Sequence, residues 1–400
     1  MFATTKIDTG ALKEEFRSEL LTNILPYWMN RMVDDEYGGF HGRRDGYDHL
    51  ELKADKGIIL NTRILWTFSH AAYMLKDSIY KRVADRAYQY ITRYFIDSKF
   101  RGVYWMVNFE GSPLVTKKQV YAQAFATYAF AEYFKASGKK ESLEHAIDLF
   151  HLTETYSFDQ NENGYLEAFD REWILLEDLR LSDKDANEKK TMNTHLHILE
   201  AYTSLYRVWK DAFLGKQLRN LILIFRDKII SNTKHFNLFF DEHWNVKSHE
   251  ISYGHDIEGS WLLFEAAEAL EDENLISEIK KICLAMVEAT LQQGFDEDGG
   301  LMNEANDKGL IDGDKHWWPQ AEALVGLVNA WQLSANDKYL EAAIRTWRFI
   351  QTKLIDKEYG EWYWRVDRSG VINRDEDKSG PWKCPYHNGR AMLELMNRLP

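Results

Sequence analysis

Three histidines of this 400-residue chain sit beside residues able to tune an imidazole. In Gly254-His255-Asp256-Ile257-Glu258, His255 and Glu258 are three apart and share a face if the stretch is helical. Asn193 and His197 are four apart in Met192-Asn193-Thr194-His195-Leu196-His197, as are Trp318 and Glu322 in Trp317-Trp318-Pro319-Gln320-Ala321-Glu322. His387 follows Trp382 and Pro385, and proline suits a first helical turn because its absent N–H is not missed there. The helix dipole opposes a cation near a helix N-terminus, so an imidazole there stays neutral and can accept a proton at pH 7.

No hydrolytic triad, phosphate loop or dinucleotide fingerprint accompanies these groups. His195 and His197 would point about 200° apart on a helix, which argues against a shared metal ion. His195 is read as structural, and neither metal nor cofactor is expected. Imidazoles without a metal suit proton abstraction beside a carbonyl, such as at C2 of an open-chain aldose. Removing that proton leaves an enediolate, and returning one to the opposite face inverts C2. Such chemistry needs proton carriers for both faces, or one carrier and a substrate rotation, and a cation for the developing oxyanion, for which Arg63 is placed in Asn61-Thr62-Arg63.

The elements that must carry these residues follow from periodicity. Leu12, Phe16, Leu20, Ile24 and Trp28 recur every four positions and predict a helix over 11–32, with further helices over 56–75 and 78–96. A turn-plus-strand signal over 34–42 then recurs near Gly102, Gly164, Gly300 and Gly360, at a period of about sixty residues. Residues 241–246 are read as a degenerate copy, and the charged stretch 177–190 as an insertion. Six helix–hairpin–helix units predict an all-α fold, an (α/α)6 barrel with short β-hairpins at one rim, as a single domain over 1–400. The helix after each hairpin opens with polar residues: Arg63, Tyr121, Asn193 and His197, His255 and Glu258, Trp318 and Glu322, and His387. Burying six such openings without partners is costly, so a solvent-filled pocket with a ligand is expected at one end of the ring.

Composition narrows the partners. A net charge of −13 argues against nucleic acid and anionic membranes. Fourteen tryptophans suit flat apolar ligand surfaces such as sugar rings. Two cysteines form no disulfide framework, and the first eight residues lack an apolar leader, so a cytoplasmic location is expected. A monomer is expected.

Taken together, Arg63, the run 192–202, the run 254–258, the run 317–322 and the run 382–390 resemble the N-acylglucosamine 2-epimerase superfamily. The final run, Lys383-Cys384-Pro385-Tyr386-His387-Asn388, most resembles the branch that acts on disaccharides. The resemblance implies an (α/α)6 barrel and cofactor-free 2-epimerisation of the reducing-end sugar of β-1,4-linked disaccharides, with cellobiose, lactose and mannobiose as candidates. It implies His255 and His387 as the acid/base pair, His197 as a third active-site histidine and Arg63 beside O1 and O2. It also implies Trp318 and Trp382 as sugar platforms and Asn193, Glu258 and Glu322 as orienting groups, while Tyr121 is taken as a further substrate contact. Alternatives are an N-acylglucosamine or monosaccharide enzyme of the same superfamily, a binding module that kept the fold, or an inverting glycoside hydrolase using Glu258 and Glu322.

Overall fold

The computed structural model describes residues 8–400; most of the N-terminal stretch read above as leaderless lies outside them. Among the described residues twelve helices alternate between an outer and an inner layer. The outer helices are α1 (9–31), α3 (Ser78–Tyr94), α5 (Lys140–Tyr156), α7 (212–229), α9 (Glu273–Gln293) and α11 (337–354). The inner ones are α2 (Ile58–Leu75), α4 (Val120–Ser137), α6 (Met192–Val208), α8 (Tyr253–Ala269), α10 (Trp317–Ser334) and α12 (Tyr386–Arg398). Each inner helix packs on the next in order, and α12 packs back on α2, so the ring closes. No described helix is long and apolar enough to cross a membrane.

The two layers start differently. Most outer helices open on an acid or amide that accepts their free N–H groups, among them Asp77, Asp211, Asp272 and Asn336. Four inner helices (α2, α4, α8 and α10) have no such cap and instead follow two-residue strands at one rim. A lysine on or near that rim is buried against an aspartate of the preceding turn in five units: Lys56 on Asp34, Lys118 on Asp97, Lys190 on Asp159, Lys315 on Asp298 and Lys378 on Asp356. These pairs fix the height at which each inner helix begins, and so the level of the groups it presents.

The fourth repeat turn is not where the spacing put it. One backbone bridge closes the turn in every unit, and in the fourth it joins Ile230 to Phe236 rather than lying within 241–246. Residues 241–246 close a second rim hairpin through Phe240 and Val246. The true turn lacks both repeat signals: it carries no glycine, Lys234 taking the left-handed conformation (φ 71°) that glycine takes in other units, and Ser231 and Ile251 stand where those units place their aspartate and lysine.

His195 has a structural role. Its Nε2 accepts from the Tyr165 N–H at 2.9 Å, and Nδ1 donates to the Thr191 carbonyl at 2.6 Å. Gln123 and Gln320 hold the same level of α4 and α10, and each accepts a rim N–H, from Val103 and from Leu301. Burial pushes His195 down to about 4, so the folded protein refuses a proton that the unfolded chain takes up below pH 6.5. Stability is therefore full above pH 6.5 and falls as pH drops towards 4. His195→Gln keeps both hydrogen bonds without the titration. At pH 5 it is expected to be the more stable form by on the order of 2 kcal/mol, with little difference at pH 7. Denaturant midpoints at the two pH values check this.

Candidate active site

The closed ring aligns one position of every inner helix. Arg63, Phe125, His197, Glu258 and Glu322 are each the sixth residue of their helices, and Arg390 joins them as the fifth of α12. Above this layer a cavity of about 330 Å³ opens to the rim. Arg63, Tyr121, Asn193, His197, His255, Glu258, Trp318, Trp382 and His387 all line it. The charged stretch read as an insertion contributes Leu181, Ser182, Lys184 and Asp185 to its wall.

Glu322, expected as an orienting group for substrate or histidine, meets a histidine. It is fully buried behind His387, with Oε1 on His387 Nδ1 at 2.6 Å and Oε2 accepting from Trp261 Nε1 at 3.1 Å. An i,i+4 relation to Trp318 put the two on one helix face, but Glu322 sits a turn deeper, below the cavity floor. Its contacts orient a histidine rather than a sugar.

Each histidine is held through Nδ1. His387 lies on Glu322, His197 on Glu200 at 2.9 Å, and His255 on Ser252 Oγ at 2.7 Å. A carboxylate can only accept, so Nδ1 of His387 and His197 carries the proton and Nε2 keeps a lone pair. Among the described residues no group bonds Nε2 of His255, His387 or His197. Trp318 lies between the first two, its ring centroid 4.7 Å from His255 and 5.6 Å from His387. The indole can approach α8 because Gly254 has no side chain; a Cβ there would stand 2.5 Å from the Trp318 ring.

Arg63 donates to the Tyr121 hydroxyl at 2.8 Å and lies over the faces of Phe125 and Tyr386. Its Nε is buried with no partner, and Asn193 Oδ1 is likewise unpaired. Both sit in residues that line the cavity and can serve a ligand's oxygens.

Beneath the cavity lies a group that sequence reasoning missed as a unit. Arg390 donates from Nη2 to Glu258 at 2.8 Å and to Glu322 at 2.6 Å, and from Nη1 to Glu200; Tyr386 also donates to Glu200. Burial raises Glu200, but the Arg390 charge and the His197 bond outweigh it and hold the carboxyl down at about 2. Burial, then the neighbouring Glu322 charge, pushes Glu258 well above the usual carboxylate range. Glu258, Glu322 and His387 offer ligand atoms within 4.8 Å of one another, a spacing that could suit a metal ion. Here the Arg390 guanidinium already bridges the two carboxylates. The available signal for Arg390 was its register, one level with Arg63, His197 and Glu258 in the repeat.

Burial lowers the affinity of all three histidines for protons, with help from Arg63 and Arg390 at His387, and His255 falls to about 3. They are neutral at pH 7, as a base requires. The acid limb of kcat/KM is therefore expected well below the value near 6.5 of a free histidine, and a pH–rate profile measures it.

Fold and site define a carbohydrate isomerase on a closed ring of helices. The chain belongs to the N-acylglucosamine 2-epimerase family, which it matches over residues 38–391. It is 52% identical over 387 residues to the cellobiose 2-epimerase of Bacteroides fragilis, covering 96% of this chain and 98% of that one. It is 42% identical over 386 residues to the cellobiose 2-epimerase of Ruminococcus albus, with coverages of 96% and 98%. The solved cellobiose 2-epimerase of Bacillus thermoamylovorans superposes with a TM-score of 0.93 at 40% identity, covering 98% of this chain and 100% of that one.

Proposed function

We propose that this enzyme inverts C2 of the reducing-end sugar of β-1,4-linked disaccharides by moving protons between its own histidines and the substrate. The observation that carries the reading is the pair His255 and His387, with free Nε2 atoms flanking Trp318 in one cavity that Arg63 also lines. With the opened sugar over Trp318, one Nε2 takes the C2 proton. The C2–H electron pair becomes the C1–C2 double bond, and the carbonyl pair moves to O1 beside Arg63. The other histidine, protonated from water before this step, returns that proton to the opposite face while the first releases its own to water; O1 closes to the aldehyde, and C2 is inverted. A positioned acid–base group contributes roughly 10²–10⁴-fold, and an oxyanion partner a similar factor. His197, backed by Glu200, serves the proton transfers of ring opening. The disaccharide assignment draws on relatives named for cellobiose, and Trp382 at the cavity mouth offers a platform for a second ring.

The geometry disfavours the hydrolase alternative. Carboxylate oxygens of Glu258 and Glu322 lie within 4.8 Å, short of the roughly 6.5–9.5 Å of an inverting pair, and Glu322 does not reach the cavity. Incubation with cellobiose in heavy water, followed by NMR, tests the proposal. Deuterium at C2 and glucosyl-mannose are expected. Free glucose, or no label at C2, overturns the reading; turnover of mannose or N-acetylmannosamine with none of cellobiose replaces the substrate class.

A further inference from the structure

The three cavity imidazoles differ in what backs them. His197 and His387 rest on carboxylates, whereas His255 rests on a serine hydroxyl. Ser252 stands at the N-cap of α8 in extended conformation (φ −106°, ψ 100°), where a serine ordinarily accepts an N–H from the first helical turn. Its hydroxyl makes no such bond and is given over to His255. Ser252 is buried, and it lines the cavity beside the imidazole it holds.

A carboxylate partner stabilises an imidazolium by charge as well as by orientation; a neutral hydroxyl orients it without that charge. At His387 the Arg63 and Arg390 charges oppose the carboxylate, so the contrast that matters lies at position 252 itself: a carboxylate there would add a charge beside His255 that the hydroxyl does not. We propose that Ser252 is a positioning residue that keeps His255 a fast proton donor to C2, so that the enediolate collapses to an aldose before it can be protonated elsewhere. This rests on the function proposed above. In the collapse, His255, neutral at rest and protonated from water for this step, gives the proton on Nε2 to C2. The C1–C2 π pair becomes the new C–H bond, the O1 charge closes to the carbonyl, and neutral His255 keeps its Nδ1 proton on Ser252. If collapse is slow, the O2 proton passes to O1, C1 takes a proton instead, C2–O closes to a carbonyl, and a ketose leaves.

The other titratable groups lining the cavity around His255 are Arg63, Tyr121, His197, His387, Glu258, Glu304, Asp185, Lys184 and His316, with Glu322 and Arg390 behind His387. They are common to every variant at position 252. Three variants are compared with the parent by NMR of cellobiose products in heavy water and by pH–rate profiles. Ser252→Asp adds the missing charge; it is expected to raise the ketose-to-epimer ratio several-fold and to move the acid limb upward. Ser252→Ala is expected to lower kcat about tenfold with KM unchanged, because the ring loses its orienting bond. Ser252→Thr keeps the hydroxyl and is expected to restore the parent ratio. If Ala and Asp both keep the parent's product ratio and pH profile, the inference is overturned. A parent enzyme that places no deuterium at C2 sinks the proposed function instead, so the two failures are distinguishable.

Discussion

His387→Asn is expected to lower kcat by roughly 10²–10⁴-fold while leaving the protein folded. Asparagine can still donate to the Glu322 carboxylate, which His387 Nδ1 contacts at 2.6 Å, so the buried acid keeps a partner. What disappears is the Nε2 lone pair facing the cavity. Exchange of C2 hydrogen with solvent should fall in parallel, because one of the two proton carriers is gone. Exchange and epimerisation can be followed together by NMR, and circular dichroism checks the fold. Parent-like turnover in this variant would count against a two-histidine mechanism. Glu322→Gln is the companion variant. It keeps a hydrogen-bond partner for the ring but removes the charge that stabilises the imidazolium, so a smaller fall in kcat is expected.

Arg390→Met is expected to destabilise the protein by about 3–5 kcal/mol and to abolish activity with it. Arg390 is buried and meets Glu200, Glu258 and Glu322 at once, and its guanidinium lies over the Trp261 ring, 4.7 Å from the centroid. Methionine fills much of the volume and keeps the aromatic contact, but three carboxyl groups then face one another without a cation. Adding Glu258→Gln removes one of them and should return part of the lost stability. Denaturant unfolding of both variants measures the difference. Equal midpoints for parent and Arg390→Met would show that the cluster is not held by this cation.

Much of the fold was legible because the ring is a repeat. The period of about sixty residues, the apolar spacing of α1 and the polar openings of the inner helices led to the (α/α)6 architecture. Legibility failed where a unit replaced the usual residues by others with the same effect. In the fourth turn Lys234 stands in place of glycine and Ser231 in place of the aspartate, so the repeat signal falls on a neighbouring hairpin. Most of the expected site residues line one cavity because repeat register is itself a spatial coordinate: residues at one level of successive inner helices meet when the ring closes.

The sequence by itself determined which side chains stand at that level: Arg63, His197, Glu258, Glu322 and Arg390, with His255 and His387 a turn nearer the rim. Only the tertiary structure decided which of them touch. Glu322, read as an orienting group, lies under His387; Glu200, unremarked in the sequence, backs His197 and Arg390. The reason is that these partnerships join different helices, neighbours in the ring for Glu322 under His387 and opposite members for Glu200 on Arg390. The pattern of each helix records its own apolar and polar faces, but not the residue that the closed ring brings opposite. Local contacts are the exception: Glu200 behind His197 and, behind His255, the serine, each three residues away on the same chain. The serine's meaning too emerges only beside the carboxylates that back the other two histidines.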